Sequence, residues 1–141
     1  MNTILDRAVT SALADADWRP VDPTNPSGPQ MAALWGDPTS GPYGALLRVP
    51  AGFASPLHRH SRDERVVMIS GMSIHWTQDQ RPETAPQVSA ADFLVMPAGV
   101  DHVSAAGPDE DALEFITQDG AFDFVMGPDG TDEATARGEE D

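Results

Sequence analysis

Three of the four histidines in the sequence, together with one glutamate, are spaced in a way that suits a metal ion. His58 and His60 are separated only by Arg59. Because side chains alternate between the two faces of a β-strand, both imidazoles share a face, about 6.7 Å apart, and can converge on one ion. Glu64 follows a short polar stretch and adds a carboxylate oxygen. The spacing predicts a metal site whose remaining ligand, His102, comes from further along the chain.

His102 is the candidate because it follows the segment 97–100 (PAGV), in which proline and glycine are typical of a turn that directs the next strand back to the sheet. Three nitrogens and one oxygen form a donor set of intermediate softness, which suits Fe, Mn, Co, Ni, Cu or Zn. An ion that accepts five or six ligands keeps one or two positions open for substrate or water. We therefore expect a divalent transition metal in a site capable of chemistry.

The chain between residues 31 and 126 consists of short apolar runs separated mostly by Gly, Pro, Ser and Asp. Strands are predicted near 31–36, 43–50, 55–60, 64–70, 72–78, 86–90, 92–96, 101–106, 111–118 and 121–126. Many short strands without intervening helices are typical of an all-β barrel or jelly roll. The sequence thus predicts a single barrel that surrounds the candidate ligands.

This part of the chain resembles the cupin family at two motifs. The specified residues of the first motif are all present: Gly52, His58, His60, Glu64 and Gly71. The second motif retains Pro97, Gly99 and His102. It departs from the family at Ala91, where the leading glycine is expected, and at Ala106, where the closing asparagine is expected. No second pair of motifs follows, which indicates a single-domain cupin.

The resemblance implies the cupin double-stranded β-helix, which is a jelly-roll barrel, and several alternative activities. Cupins with a similar ligand set include quercetinase-like and acetylacetone-cleaving dioxygenases, and also lyases, isomerases and polyketide cyclases. Our first hypothesis is a metal-dependent, dioxygenase-type oxidoreductase, with Fe(II) as the favoured ion. Its enolisable or phenolic substrate would chelate the ion, with Glu64 accepting a substrate proton. The alternatives are a redox-neutral lyase, isomerase or cyclase, and a non-catalytic metal- or ligand-binding sensor module like those fused to some regulators and anti-sigma factors.

Both ends of the chain differ from the barrel in composition. Apolar residues recur at helical spacing before residue 15, and they predict a short helix over 3–15: Ile4, Leu5, Ala8, Val9, Ala12 and Leu13. Four prolines within 19–30 favour an extended connector, so 1–30 is treated as one N-terminal segment. Residues 127–141 carry Asp129, Asp132, Glu133, Glu139, Glu140 and Asp141 against Arg137. This composition predicts a disordered acidic tail.

Charge and composition exclude several classes of function. The net charge of -15 argues against binding to nucleic acid or to anionic membrane surfaces, which both require clusters of basic residues. The absence of cysteine excludes disulfides and thiolate chemistry, and all eight basic residues are arginines, which excludes a lysine Schiff base. No signal-peptide-like apolar stretch is present. We expect a cytoplasmic homodimer that binds a small molecule.

Strand alternation from Glu64 predicts which other side chains face the cavity. Inward positions are expected to be Val66 and Met68, then Met72, Ile74 and Trp76 beyond the turn at Gly71. On this count His75 faces outward, although a β-bulge near the turn would reverse the phase and make it a cavity acid or base. Arg48 is expected to face outward, with an inward position as the alternative. The core is expected to take the large apolar residues Phe53, Met96, Phe115, Phe122 and Phe124, with one or two of the aromatics at the barrel mouth as the alternative.

Overall fold

The computed structural model describes residues 7–10 and 12–127, and this part of the chain is all-β. Its strands are β1 (Arg19–Pro20), β2 (Gln30–Gly36), β3 (Tyr43–Val49), β4 (His58–Arg59), β5 (Glu64–Ser70), β6 (Ser73–Thr77), β7 (Gln87–Val88), β8 (Phe93–Met96), β9 (His102–Ala106), β10 (Ala112–Gln118) and β11 (Val125–Met126). The strands form a six-stranded sheet, β1-β2-β3-β10-β5-β8, and a five-stranded sheet, β11-β4-β9-β6-β7. All of their pairings are antiparallel, as expected for a jelly roll. The predicted fold class is confirmed.

The pairing of the two sheets explains how residues far apart in sequence meet. In the five-stranded sheet β4 pairs with β9, and His58 is directly opposite His102. His60 follows β4, and Glu64 begins β5 in the six-stranded sheet. The ligand candidates therefore come from both layers of the sandwich. The hydrophobic core lies between the same layers, in two clusters centred on Ile116 and Met68.

The N-terminal helix predicted over 3–15 is wrong within the described residues. Residues 7–10 have no helical structure, and only a 3-10 turn, Leu13–Asp15, is present. Its side chains are not buried, so an amphipathic stripe has nothing here to pack against. This turn is the only helix in 7–10 and 12–127, and no helix there is long and apolar enough to cross a membrane. The predicted acidic tail, apart from its first residue, Gly127, lies outside the residues that the structure describes.

The proline-rich connector is more ordered than the sequence predicts. Arg19 and Pro20 form β1, which pairs with the start of β2. Proline is compatible with this position because β1 is an edge strand, where a missing backbone N–H costs no ladder hydrogen bond. The connector consequently brings Val21 and Pro29 to the mouth of the cavity between the sheets.

The predicted alternation holds up to Met68 and is wrong beyond it. Val66 and Met68 are buried as expected, but the pairing of β5 with β10 then shifts, so that Leu113 faces Ser70 while Glu114 faces Met68. One extra residue on β5 is the signature of a β-bulge, which reverses the phase of all later positions. In the next strand, β6, Ser73 is buried and His75 lines the cavity. The odd-numbered residues of β6 therefore face inward, in place of the even-numbered residues expected from the sequence. The inward positions assigned to Met72, Ile74 and Trp76 must therefore be corrected to Ser73 and His75.

Ala91, one of the two departures from the cupin motifs, adopts a backbone conformation that favours glycine. Its φ is +73°, in a turn closed by a hydrogen bond from Asp92 N–H to the Ser89 carbonyl at 2.8 Å. An L-residue in this region costs roughly 1–2 kcal/mol, part of which a glycine would lose again through the larger entropy of its unfolded chain. Ala91→Gly should raise the free energy of unfolding by about 1 kcal/mol in a denaturant titration. Ala90→Gly is the matched control, since φ is not positive there. Equal effects of both variants would contradict strain at Ala91.

Candidate metal centre

Three histidines from two neighbouring strands and the loop after the first strand form a compact cluster. One ring nitrogen of each of His58, His60 and His102 lies within 4.8 Å of those of the other two. All three side chains are buried, with exposed fractions of 3%, 4% and 0%. Ring nitrogens that lie this close together, in side chains this well shielded from solvent, are spaced to bind one metal ion. The predicted convergence of the three imidazoles is therefore present in the structure.

Backbone carbonyl groups fix which nitrogen of each ring can bind an ion. The Nδ1 atom lies 2.9 Å from the Pro56 carbonyl in His58 and 2.9 Å from the Val100 carbonyl in His102. In His60 it lies 2.5 Å from the carbonyl of Asp123. A carbonyl oxygen only accepts hydrogen bonds, so each Nδ1 carries the proton and donates it. Each neutral ring then keeps a lone pair on Nε2, the arrangement found in metal-binding histidines.

The residues fit a metal ion on a second, independent observation. Nε2 of His102 is a fully buried polar atom without a hydrogen-bond partner among the described residues. A buried polar atom of this kind normally costs free energy, and an ion at this position would satisfy it. Burial also lowers the pKa of His58 to about 3 and lowers those of His60 and His102, so the rings are neutral at physiological pH. A buried cluster of neutral imidazoles could thus hold a metal ion, and its donor set does not identify which one.

Glu64 lies beside this cluster but outside the mutually close set of nitrogens. Its Oε2 atom is 3.1 Å from Nε2 of His60, and only 7% of the residue is exposed. Since that nitrogen carries a lone pair, the short contact requires either a proton on the carboxyl group or a cation shared by both atoms. Burial, and then the charge of Asp123, raises the pKa of Glu64 to about 7. Its place as the fourth ligand stays a prediction.

The segment just before β11 closes over the histidines, which sequence analysis did not anticipate. Phe124 is stacked on the ring of His58, with centroids 4.0 Å apart and an interplanar angle of 11°, and Phe122 packs at 5.4 Å against His60. Both phenylalanines line the cavity. Phe122 also packs against the hydrophobic core, as predicted, whereas Phe124 is 40% exposed and its assignment to the core must be corrected. Asp123 between them accepts from the imidazole of His60 through its carbonyl. Pairing of β11 with β4 brings this segment to the site, and local patterns do not reveal such a long-range pairing.

A cavity of about 630 Å³ opens beside the cluster. Most of its wall is apolar, with contributions from Val21, Leu47, Val49, Phe53, Val66 and Met126. His75 also lines it, contrary to the prediction that it faces outward, because of the bulge in β5. Both of its ring nitrogens are engaged, Nδ1 at 2.9 Å from Ser104 Oγ and Nε2 at 3.0 Å from Ser73 Oγ. Arg48, by contrast, lies over the ring of Trp18 at 4.3 Å and does not line the cavity, as predicted.

Glu114 is a cavity residue that the sequence did not reveal. It lies on β10, is 3% exposed and lines the same wall as Leu47 and Val66. Burial, and then the charge of Glu64, raises the pKa of its carboxyl group to about 8. The only available signal was its alternation with Ala112 and Ile116, which are fully buried. The group is therefore a neutral carboxylic acid at pH 7.

This environment predicts a pH-dependent stability of the metal-free protein. A carboxyl group whose folded pKa lies above its unfolded pKa binds more protons in the folded state, so the free energy of unfolding falls as pH rises between the two values. For Glu114 that window runs from about 4.5 to about 8. Relative to Glu114→Gln, the wild type should lose about 1–3 kcal/mol across it, by urea titration at a series of pH values. A constant difference between the two proteins would show that the carboxyl group is solvated.

Comparison with solved structures supports the fold. A chain in the structure of Rhodobacter sphaeroides SigE in complex with the anti-sigma ChrR is 23% identical, with a TM-score of 0.58. The match covers 77% of the present protein and about half (51%) of that longer chain. The polyketide cyclase RemF from Streptomyces resistomycificus is 13% identical, with a TM-score of 0.66 over 88% of this chain and 89% of RemF. DMSP lyase DddQ from Ruegeria pomeroyi is 17% identical, with a TM-score of 0.63 over 80% of this chain and 61% of DddQ. Proteins described as cupins are also among the matches.

The structural comparisons show the fold, and a family model establishes the family. At identities this low the structural likeness shows a shared fold, and the fold is that of a single cupin domain, as the two motifs predicted. A search of the curated proteins found no match. A family model described as Domain of unknown function (DUF4437) matches residues 6–125, which is most of the sequence. The chain belongs to the DUF4437 family and is built as a single cupin domain.

Proposed function

We propose that this protein is a metal-dependent enzyme acting on a small, largely apolar molecule that chelates the ion through enolisable or phenolic oxygens. The observation that carries the proposal is the convergence of three neutral imidazoles, with Nε2 of His102 left without a partner among the described residues, beside a cavity of about 630 Å³. His58, His60 and His102 would hold the ion, with Glu64 as the fourth ligand. A volume of this size suits a small substrate.

The chain's own residues provide positioning and proton transfer. Phe122, Phe124 and the apolar wall exclude water and hold the body of the substrate. Glu64, whose pKa of about 7 lies near physiological pH, is suited to accept a proton from an enolisable carbon or a phenol. A divalent transition ion bound at the histidines would polarise the chelating oxygens, and a redox-active ion would also supply electrons for a reaction with O2.

Two reaction types fit this site. The first is the dioxygenase-type oxidation suggested by the ligand set, with Fe(II) as the favoured ion. The second is redox-neutral lyase, isomerase or cyclase chemistry, which is supported by the carboxyl groups that carry protons at the cavity wall and by the fold shared with a polyketide cyclase and a DMSP lyase. The two differ in whether turnover consumes O2.

Oxygen consumption separates these reactions directly. Protein loaded with Fe(II) would be mixed with acetylacetone, quercetin and related 1,3-diketones and phenols, and substrate loss would be followed with and without air. An oxygenase loses activity without O2 and takes up O2 in proportion to substrate, whereas a lyase or cyclase works equally well under both conditions. A panel on which Fe(II)-, Mn(II)-, Ni(II)- and Zn(II)-loaded protein all fail to turn over any compound would count against an enzyme of this substrate class.

A binding module is the non-catalytic alternative, and the fold shared with a chain of the SigE complex with the anti-sigma ChrR supports it. A sensor would bind its ligand stoichiometrically without converting it, which mass spectrometry of the bound ligand can show. The homodimer and the cytoplasmic location remain predictions from the sequence. Sedimentation equilibrium of the full chain would test the dimer, with a single 15.0 kDa species as the result that rules it out.

A further inference from the structure

The carboxyl group of Glu114 faces the cavity without a partner. The residue is 3% exposed and lines the cavity that also contains His60 and Glu64. No side chain or backbone group within 7–10 and 12–127 forms a hydrogen bond with this carboxyl group. By contrast, the other buried polar side chains of β10 and β6 have partners, such as Tyr43 for Gln118 and His75 for Ser73. Glu114 is therefore a buried polar group left available to a ligand.

A role in packing alone does not explain an acid at this position. A buried carboxyl group without a hydrogen bond destabilises the fold, and methionine or leucine would fill the same space between Leu47 and Met68, its cross-strand neighbours, without that cost. Buried polar groups that lack partners in a folded protein commonly serve a site. The cavity is the only direction in which Glu114 can find one.

The charges of the cavity wall restrict what this ligand can be. Acidic side chains, Asp22, Glu64 and Glu114, line the wall, and no arginine of the described chain is among the lining residues. Arg48, the basic residue on a neighbouring strand, lies over Trp18 instead. A metal ion would compensate the charge of the chelating end of a ligand, but nothing in the wall would compensate an anionic group elsewhere on it.

We propose that Glu114 determines specificity: the ligand that chelates the ion at one end carries a neutral or positively charged hydrogen-bonding group at the other, and Glu114 contacts that group. Carboxylates and phosphates at this end are disfavoured. As a neutral acid the side chain donates to a hydroxyl or carbonyl oxygen, and as a carboxylate it accepts from an ammonium group. This inference rests on the proposed function, because it assumes that the histidine cluster anchors a chelating ligand.

Three catechols with the same chelating ring and different tails test the proposal. Dopamine has an ammonium tail, 3,4-dihydroxyphenethyl alcohol a neutral tail and 3,4-dihydroxyphenylacetate a carboxylate tail. Their affinities for the Zn(II)-loaded full chain would be measured by isothermal titration calorimetry at pH 7, because Zn(II) does not oxidise catechols. We expect the carboxylate to bind about tenfold or more weakly than the amine. In Glu114→Gln that difference should largely disappear, with the amine weakened most.

Two further variants secure the interpretation. Glu110→Gln makes the same substitution at an exposed loop residue outside the cavity and should leave the order of the three affinities unchanged. Glu114→Met replaces the carboxyl group by an apolar side chain of similar volume and should also lose the preference. It provides the test if Glu114→Gln folds poorly. The proposal is overturned if the three tails bind equally to the wild type, or if Glu114→Gln and Glu114→Met preserve its preference. If no catechol binds the Zn(II)-loaded protein better than the metal-free protein, the proposed function itself fails, and this inference fails with it.

Discussion

Replacing His102 by alanine should abolish stoichiometric binding of a divalent transition metal ion. The imidazole is fully buried, its Nδ1 is fixed by the Val100 carbonyl, and its Nε2 has no partner among the described residues. Loss of a supporting residue around a metal site already weakens affinity by about 10–100-fold, so loss of a ligand should weaken it by about 100-fold or more. The measurement is metal content after dialysis against Zn(II), together with the dissociation constant from competition with a chromophoric chelator.

His75→Ala is the matched control for this experiment. It removes the one histidine that is not in the cluster, from the wall of the same cavity, and both of its ring nitrogens are hydrogen-bonded to serines. We expect this variant to keep one ion per chain with an affinity close to that of the wild type. Circular dichroism should show that both variants are folded. If both variants lose the ion equally, metal binding depends on the general integrity of the cavity and not on the His58, His60 and His102 cluster.

Glu64→Gln should remove most of the pH dependence of metal binding below pH 7. In the metal-free protein burial raises the pKa of Glu64 to about 7, so at lower pH an ion must displace a proton from the carboxyl group. Affinity should then rise about tenfold per pH unit between pH 5 and 7 and level off above. Burial lowers the pKa values of the histidines, that of His58 to about 3, which reduces their share of this slope. The glutamine variant should bind at least about tenfold more weakly at pH 7.5 and show a clearly shallower profile than the wild type.

A proton count on the same variant decides whether Glu64 is a ligand. Calorimetric titration of Zn(II) in buffers of different ionisation enthalpy gives the number of protons released at pH 6. We expect close to one proton from the wild type and from Glu110→Gln, which makes the same substitution at an exposed position. Glu64→Gln should release close to none. An unchanged proton count in Glu64→Gln would place the carboxylate outside the coordination sphere, consistent with its position outside the mutually close set of nitrogens.

The sequence predicts most strands because their signals are local. The runs predicted at 43–50 and 64–70 appear as Tyr43–Val49 and Glu64–Ser70, bounded by the glycines and prolines that mark turns. The histidines of the cluster are likewise predictable, since His58 and His60 share a strand face by alternation alone. The spacing of the cupin motifs then identifies His102, which lies on β9 directly opposite His58 on β4. These are features that one strand or one turn specifies by itself.

The residues that sequence reasoning missed depend on contacts between distant strands. Glu114 lies in a strand whose outward side carries Leu113 and Phe115, and Phe115 packs against Trp35 on the outer face. The usual rule that apolar side chains face inward therefore assigns β10 the wrong way round. His75 was misplaced because a single-residue bulge in β5 reverses the phase and leaves no clear mark in the sequence. Phe124 reaches His58 only because β11 pairs with β4.

The most direct test of metal binding by the three histidines is an anomalous difference map from crystals of the full chain. The protein would be purified without chelators or a metal-affinity tag, and the data would be recorded at the absorption edge of the metal found by elemental analysis. The convergence of the three imidazoles predicts one strong peak per chain, about 2.0–2.2 Å from Nε2 of each of His58, His60 and His102. A map without a peak at this position, from crystals that had also been soaked in Fe(II), Mn(II) and Zn(II), would contradict it.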